Sequence, residues 1–198
     1  SDGALVTTIV SSDMARPVAA DYGLSVIETL TGFKYIGEQI RLFEQARAAN
    51  GGRPDAAKGA YVFEFGFEES YGCLVGTYAR DKDAVMAVVS LCEAAAYYAG
   101  QGMTLWDAML AMYEKYGYYA EDLACLTLRG ADGAEKIARM MTDLRNDPPA
   151  EVGGRRICAL RDYRRGVRRD VVTGQETPLE LPASNVLYFE LDGNGWCC

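Results

Sequence analysis

"LSVIETLTGFKYIGEQIRLFEQARAAN", residues 24–50, decides the fold class within one span. Leu24 to Leu30 is an apolar, β-branched run of strand length. Thr31-Gly32 breaks it. Phe33, Ile36, Ile40 and Phe43 then recur at helical spacing until Asn50-Gly51-Gly52 closes the segment. Upstream, "LVTTIVSS" (Leu5 to Ser12) is another β-branched run, and Asp13 is the expected N-cap of a short helix ending at Gly23. Downstream, a polar loop through Pro54 and Lys58 leads to "AYVFEF", a third strand. Strand-helix-strand-helix-strand order with near-continuous apolar strands predicts an α/β fold. Its mostly parallel sheet has helices on both faces (α/β/α) and right-handed crossovers.

Further along, "RDKDAVMAVVSLCEAAAYYAGQG" reads as a long helix capped by Asp81 or Asp83 and ended by Gly100 or Gly102. "TLWDAMLAMYEKYG" is a helix from Thr104 to Gly117. The Met, Tyr and Trp residues of both helices are expected in the core. "EDLACLTLRG", residues 121–130, is expected to supply a fourth strand. "GAEKIARMMTDLRNDPP" is a helix that Pro148-Pro149 terminates. Beyond it, "RRICALRDY", "RDVVTGQET" and "NVLYFEL" are strand-like pieces joined by polar turns. This change of pattern predicts a first domain over residues 1–147 and a truncated, small α+β domain over 148–198.

Composition narrows the function classes. The 198 residues are 49% apolar with a formal net charge of −8, which suits a globular protein and disfavours nucleic acid or an anionic membrane as partner. No apolar run approaches the roughly 20 residues of a membrane span. Scattered cysteines without a C-x-x-C pair read as reduced thiols, so the expected compartment is the cytoplasm. The absence of His removes the usual imidazole base and the commonest nitrogen ligand for metals. "RDYRRGVRRD", with Arg161, Arg164, Arg165, Arg168 and Arg169, reads as a solvated arginine-rich hairpin or a phosphate-attracting patch.

In open parallel sheets ligands sit beyond the C-terminal ends of the strands. Three polar stretches occupy that position: Thr31-Gly32 with Lys34, then Glu68-Glu69-Ser70 in "FEFGFEESYG", then Arg80 to Asp83. The T-G turn offers helix N-terminal N–H groups to an oxyanion. Carboxylate, hydroxyl and ammonium together suit a phosphorylated polyol. Gly66 and Gly72 are expected to let the chain turn sharply around the carboxylates.

"TIVSSDMARPVAADYG", "TLTGFKYIGEQI", "FEFGFEESYGCLVGTYARDKDAV" and "KYGYY" together resemble the third domain of the α-D-phosphohexomutases, nearest the bacterial phosphoglucomutase/phosphomannomutase branch. "GGRRI", "DY", "TG" and "LPASNVLYFELDGNGW" resemble the start of that family's fourth domain. The resemblance implies exchange of phosphate between the 1- and 6-positions of a hexose, through a hexose 1,6-bisphosphate, a phosphoserine and Mg²⁺. Carried over by position, Glu68 and Ser70 match the sugar-recognition loop and Thr31 a substrate contact. Lys82 matches the catalytic lysine near the reacting groups. Glu69 either joins the sugar contact or braces the turn. The family's T-x-S-H-N-P nucleophile loop, D-x-D-x-D-R metal loop and R-x-S-G-T-E-P phosphate loop are absent from these residues. The expectation is therefore a fragment that reads hexose phosphate, holds no metal ligands, needs the remaining domains of a parent chain and is inactive alone. The alternative is a self-standing, non-catalytic sugar-phosphate-binding or structural module of the same fold.

Overall fold

The computed structural model describes all residues, 1–198. The chain forms two compact units, Ser1–Asp122 and Leu123–Cys198. No helix is long and apolar enough to cross a membrane.

The first unit is organised by β1, Gly3–Thr8, every residue of which is buried. It lies between β2 (Ser25–Thr29) and β3 (Val62–Glu68) and is parallel to both. With β4 (Gly72–Val75) outside β3, the sheet order is β2-β1-β3-β4. Side chains alternate across a strand, so β1 needs cover on both faces. On one face Ala4 and Val6 pack with Phe33, Ile36, Ile40 and Phe43. Those four residues come from one stripe of the helix Phe33–Ala49. On the other face Leu5 packs with Ala15 and Ala19 of the helix Ala15–Asp21. We call these helices α2 and α1 in chain order. The sheet is therefore mostly parallel and covered on both sides, as the apolar runs predict.

The exception to parallel pairing is β4, the antiparallel return of a hairpin from β3. It fills the sheet position beside β3. Residues 121–130, expected as a further strand, form none; Leu123 and Leu126 are exposed. Asp13 does not cap α1 either. The N-cap position is Met14, with no side-chain cap, and Asp13 pairs with Arg16 instead.

The next two helices, α3 (Ala84–Ala99) and α4 (Leu105–Tyr116), start where expected. The Asp83 carboxylate accepts from Met86 N at 2.8 Å, and Thr104 with Asp107 closes a reciprocal capping box. Their large side chains depart from expectation. Trp106 is 63% exposed, Tyr97 66%, and no residue of α3 is fully buried. The short β4 and α4 are the neighbours of α3, and they offer too little surface to enclose an apolar helix.

In the second unit α5 (Gly130–Asn146) lies against an antiparallel sheet made of β5 (Glu151–Val152), β6 (Arg155–Asp162), β7 (Val167–Asp170), β8 (Glu176–Pro178), β9 (Leu187–Leu191) and β10 (Gly195–Cys197). The sequence pattern places a boundary at residue 147, but the compact units divide after Asp122. Met141 and Leu144 of α5 pack on Ile157, Leu160, Leu187 and Phe189, so the helix belongs with the sheet it covers.

One ion pair locks that helix down. Arg145 Nε donates to both oxygens of Asp162, at 3.1 and 3.0 Å, with the two side chains only 6% and 4% exposed. Its remaining nitrogens reach Met141 O and Asn185 Oδ1. On the other face, Arg161 and Arg168 both donate to Glu190, Arg161 lies over the Tyr188 ring, and Tyr188 stacks on Trp196. The arginine-rich hairpin thus spends Arg161 and Arg168 on a carboxylate of its own sheet. Removing one member of a buried pair strands the other charge, at a cost of about 3–5 kcal/mol. Asp162 would keep Arg165 and the N–H groups of Arg164 and Arg165, so Arg145→Ala is expected to destabilise the second unit by about 3 kcal/mol, the low end of that range, in urea unfolding. Arg145→Met with Asp162→Leu should recover part of it, since no buried charge is then left alone although the N–H groups of Arg164 and Arg165 lose their acceptor.

Candidate functional site

Because β1, β2 and β3 run parallel, their C-terminal ends open on one rim. Glu68 is the last residue of β3 and is 5% exposed. A buried carboxylate needs donors, and two converge on Oε1. Ser70 Oγ donates from 2.9 Å, and Lys82 Nζ donates in an ion pair. The second oxygen, Oε2, has no protein donor. The Lys82 side chain remains 46% exposed against 2% for Glu68, so the pair meets solvent chiefly at the ammonium.

The turn between β3 and β4 comprises Glu69, Ser70 and Tyr71. Tyr71 has φ 60° and a fully exposed side chain, so the left-handed residue of the turn is a tyrosine. Gly66 and Gly72, expected to supply the sharp bend, both lie inside paired strands. Each is glycine for room. A Cβ on Gly66 would sit 2.7 Å from Ile36 Cγ2, and one on Gly72 would collide with the Lys82 stem. Gly72 thereby lets Lys82 lie flat across β4 and reach Glu68.

Glu69 turns the other way. Its Oε2 accepts from Thr8 Oγ1 at 2.7 Å, and Thr8 Oγ1 lies 2.9 Å from Ser11 Oγ. Glu69 is thus fastened to the end of β1 and braces the turn. Sequence reading passes over Thr8 and Ser11 as ordinary strand residues. The available signal is the hydroxyl pair Thr7-Thr8 in an otherwise apolar strand with both faces covered. Thr7 Oγ1 is itself buried and unpartnered.

Of the predicted site residues, Glu68, Ser70 and Lys82 are brought into direct contact. Thr31 is exposed just past the end of β2, on the same rim. With β1 between β2 and β3, it stands two strands from Glu68, about 10 Å by strand spacing, and no hydrogen bond joins it to the other three. Lys34, in the first turn of α2, lies over the Tyr35 ring. No group of three or more His, Cys, Asp or Glu side chains is placed to hold a metal ion.

The hydrogen bond from Lys82 to Glu68 raises the lysine pKa above its ordinary value, outweighing partial desolvation. Since the folded pKa is raised, the stabilisation is complete below the unfolded lysine value and is lost as pH rises through the folded one. The melting-temperature difference between this chain and its Lys82→Met variant should therefore hold steady from neutral pH to about 10 and shrink only above it.

Comparison with known proteins gives this geometry a family. Residues 1–116 match the phosphoglucomutase/phosphomannomutase alpha/beta/alpha domain III. A phosphoglucomutase of Staphylococcus epidermidis is 32% identical over 184 residues, covering 92% of this chain and 31% of that protein. One from Staphylococcus aureus is 32% identical over 188 residues, covering 95% and 32%. The chain thus spans about a third of the length of these relatives. Among solved structures, the open form of pp63/parafusin, a Paramecium phosphoglucomutase, is similar over 98% of this chain and 29% of its own, with TM-score 0.53 and 18% identity, a likeness of fold. The chain belongs to the phosphoglucomutase/phosphomannomutase family, with its domain III at residues 1–116.

Proposed function

We propose that the first unit is the sugar-reading part of a phosphohexomutase that interconverts hexose 1-phosphate and hexose 6-phosphate. The observation that carries this reading is the convergence of Ser70 and Lys82 on one oxygen of the buried Glu68 carboxylate. Glu68 Oε2 is free to accept from a sugar hydroxyl, Ser70 can donate or accept, and Lys82 offers its open side to a phosphate. Such a grip suits a substrate that must bind in two orientations, because vicinal hydroxyls present similar donors either way round. Phosphoryl transfer depends chiefly on positioning and charge stabilisation, which these contacts supply. Thr31, at the start of α2, adds a rim hydroxyl beside helix N–H groups.

Transfer itself, with its phosphoserine, Mg²⁺ and hexose 1,6-bisphosphate, is assigned to other parts of the longer family members. The 198-residue chain alone is accordingly expected to bind hexose phosphate without converting it.

Titration of glucose 1-phosphate into the chain, followed by NMR shifts of the Glu68 to Lys82 region, tests the reading. Saturable shifts are expected, and Glu68→Ala or Ser70→Ala should weaken binding by about 5- to 150-fold, the equivalent of one lost hydrogen-bond partner. Lys82→Ala should weaken it further, since the phosphate then lacks its cation. Absence of saturable shifts, or equal affinity in Glu68→Ala, would refute the assignment.

A further inference from the structure

The segment joining β4 to α3 carries Lys82 and is fastened more firmly than an exposed connection requires. Asp83 N donates to Cys73 O at 3.1 Å, anchoring the far end beside β4. Before Lys82, Arg80 reaches back to α2. Its NH2 donates to both oxygens of Glu44, at 2.8 and 2.7 Å, and its NH1 to Thr77 O at 2.6 Å and Ala79 O at 3.1 Å. A planar guanidinium fork serves those acceptors together; an ammonium would not. Below it, Gly37 is buried in α2, and a Cβ there would collide with the Arg80 carbonyl. The backbone of residue 80 therefore rests directly on the helix.

Neither feature stabilises α2 in its own right. Arg80 and Glu44 side chains are 46% and 36% exposed, and ion pairs that open to water add little to folding. Glycine in a helix interior is worse than alanine for the helix itself. What the two features have in common is the place they fix. Gly37 lies four residues, about 6 Å, from the first residue of α2, the end that carries Thr31, Gly32 and Lys34. Lys82 follows Arg80 by two residues.

We propose that Arg80, Glu44 and Gly37 form a positioning clamp that sets the Lys82 ammonium at a fixed distance from the N-terminus of α2. The clamp rests on the reading of Lys82 as a phosphate contact. Arg80 and Glu44 act through the lysine and are positioning residues. Lys82 is held at three levels: its ammonium by Glu68, its stem against Gly72, and its backbone by the clamp. A four-carbon chain left to itself loses most of its directional value through rotamer freedom. With both ends tied, a sugar phosphate meets cation and helix end as one preformed pair.

The test uses the 198-residue chain with Arg80→Ala, Arg80→Lys and Glu44→Ala. Two quantities are read: the acylation rate of Lys82 relative to Lys115 by peptide mass spectrometry, and glucose 1-phosphate affinity. Lys115, paired with Asp21 on α1, is the internal control. Each variant is expected to raise the Lys82-to-Lys115 ratio and weaken affinity by about fivefold, as for residues acting through another, with the melting temperature nearly unchanged. Arg80→Lys should resemble Arg80→Ala, since the fork is what matters. Unchanged Lys82 reactivity in both alanine variants overturns the clamp, as does a parallel rise at Lys82 and Lys115, which would mean general loosening. Should Arg80→Ala fail to fold, Glu44→Ala, on an exposed helix surface, decides alone. If the unaltered chain does not bind glucose 1-phosphate, the sugar-site reading falls, while the acylation ratio still decides whether Arg80 and Glu44 position Lys82.

Discussion

Parallel pairing of β1 with both β2 and β3 is the constraint from which the rest follows. It sends three strands in one direction, so their ends share a rim, and it forces the chain to cross over the sheet between them. Those crossovers are α1 and α2, one on each face. β1 is buried at every position, and its C-terminal end, where the rim begins, carries the two buried hydroxyls of Thr7 and Thr8. The turn of Glu69, Ser70 and Tyr71 extends from the same edge because β3 runs two residues past its last partner on β1, Val6 opposite Gly66, before doubling back as β4.

Two buried carboxylates show how differently one kind of group can be used. Asp162 is enclosed together with its arginine, and every donor around it belongs to the protein. Such a pair is fixed, and it ties α5 to its sheet. Glu68 is enclosed alone, while its lysine stays half in water and one of its own oxygens has no donor. The contrast in exposure of the cationic partner, 6% for Arg145 against 46% for Lys82, separates a pair closed to water from one that opens to it.

Much of this was legible in the residues. The stripe Phe33, Ile36, Ile40 and Phe43 and the apolar runs around it specify helix and strands through periodicity alone, and Asp83 and Thr104 mark helix starts through capping chemistry. Glu68, Ser70 and Lys82 stood out as polar groups at strand ends. What failed depended on partners that local pattern does not reveal. "EDLACLTLRG" has strand composition, yet it pairs with no strand and leaves Leu123 and Leu126 exposed. The aromatic residues of α3 and α4 looked like core because they are apolar, yet burial needs an opposing surface. The side of the boundary on which α5 falls is hidden in the sequence, because prolines end a helix without saying which sheet it covers. The glycines were misread for a related reason. Gly66, Gly72 and Gly37 answer to side chains or backbone far away in sequence.

The unpartnered hydroxyl of Thr7 has a consequence for how far this fold sits from its own stability optimum. A donor and acceptor sealed from water with nothing to bond forfeits about 1–3 kcal/mol. Valine has the same shape, favours strands at least as well and brings no polar atom to bury. A chain selected for ruggedness alone would carry valine at this position. Keeping threonine at the mouth of the central strand, one residue before the hydroxyl that holds Glu69, leaves the domain softer than its core chemistry allows, at the edge where a ligand would enter.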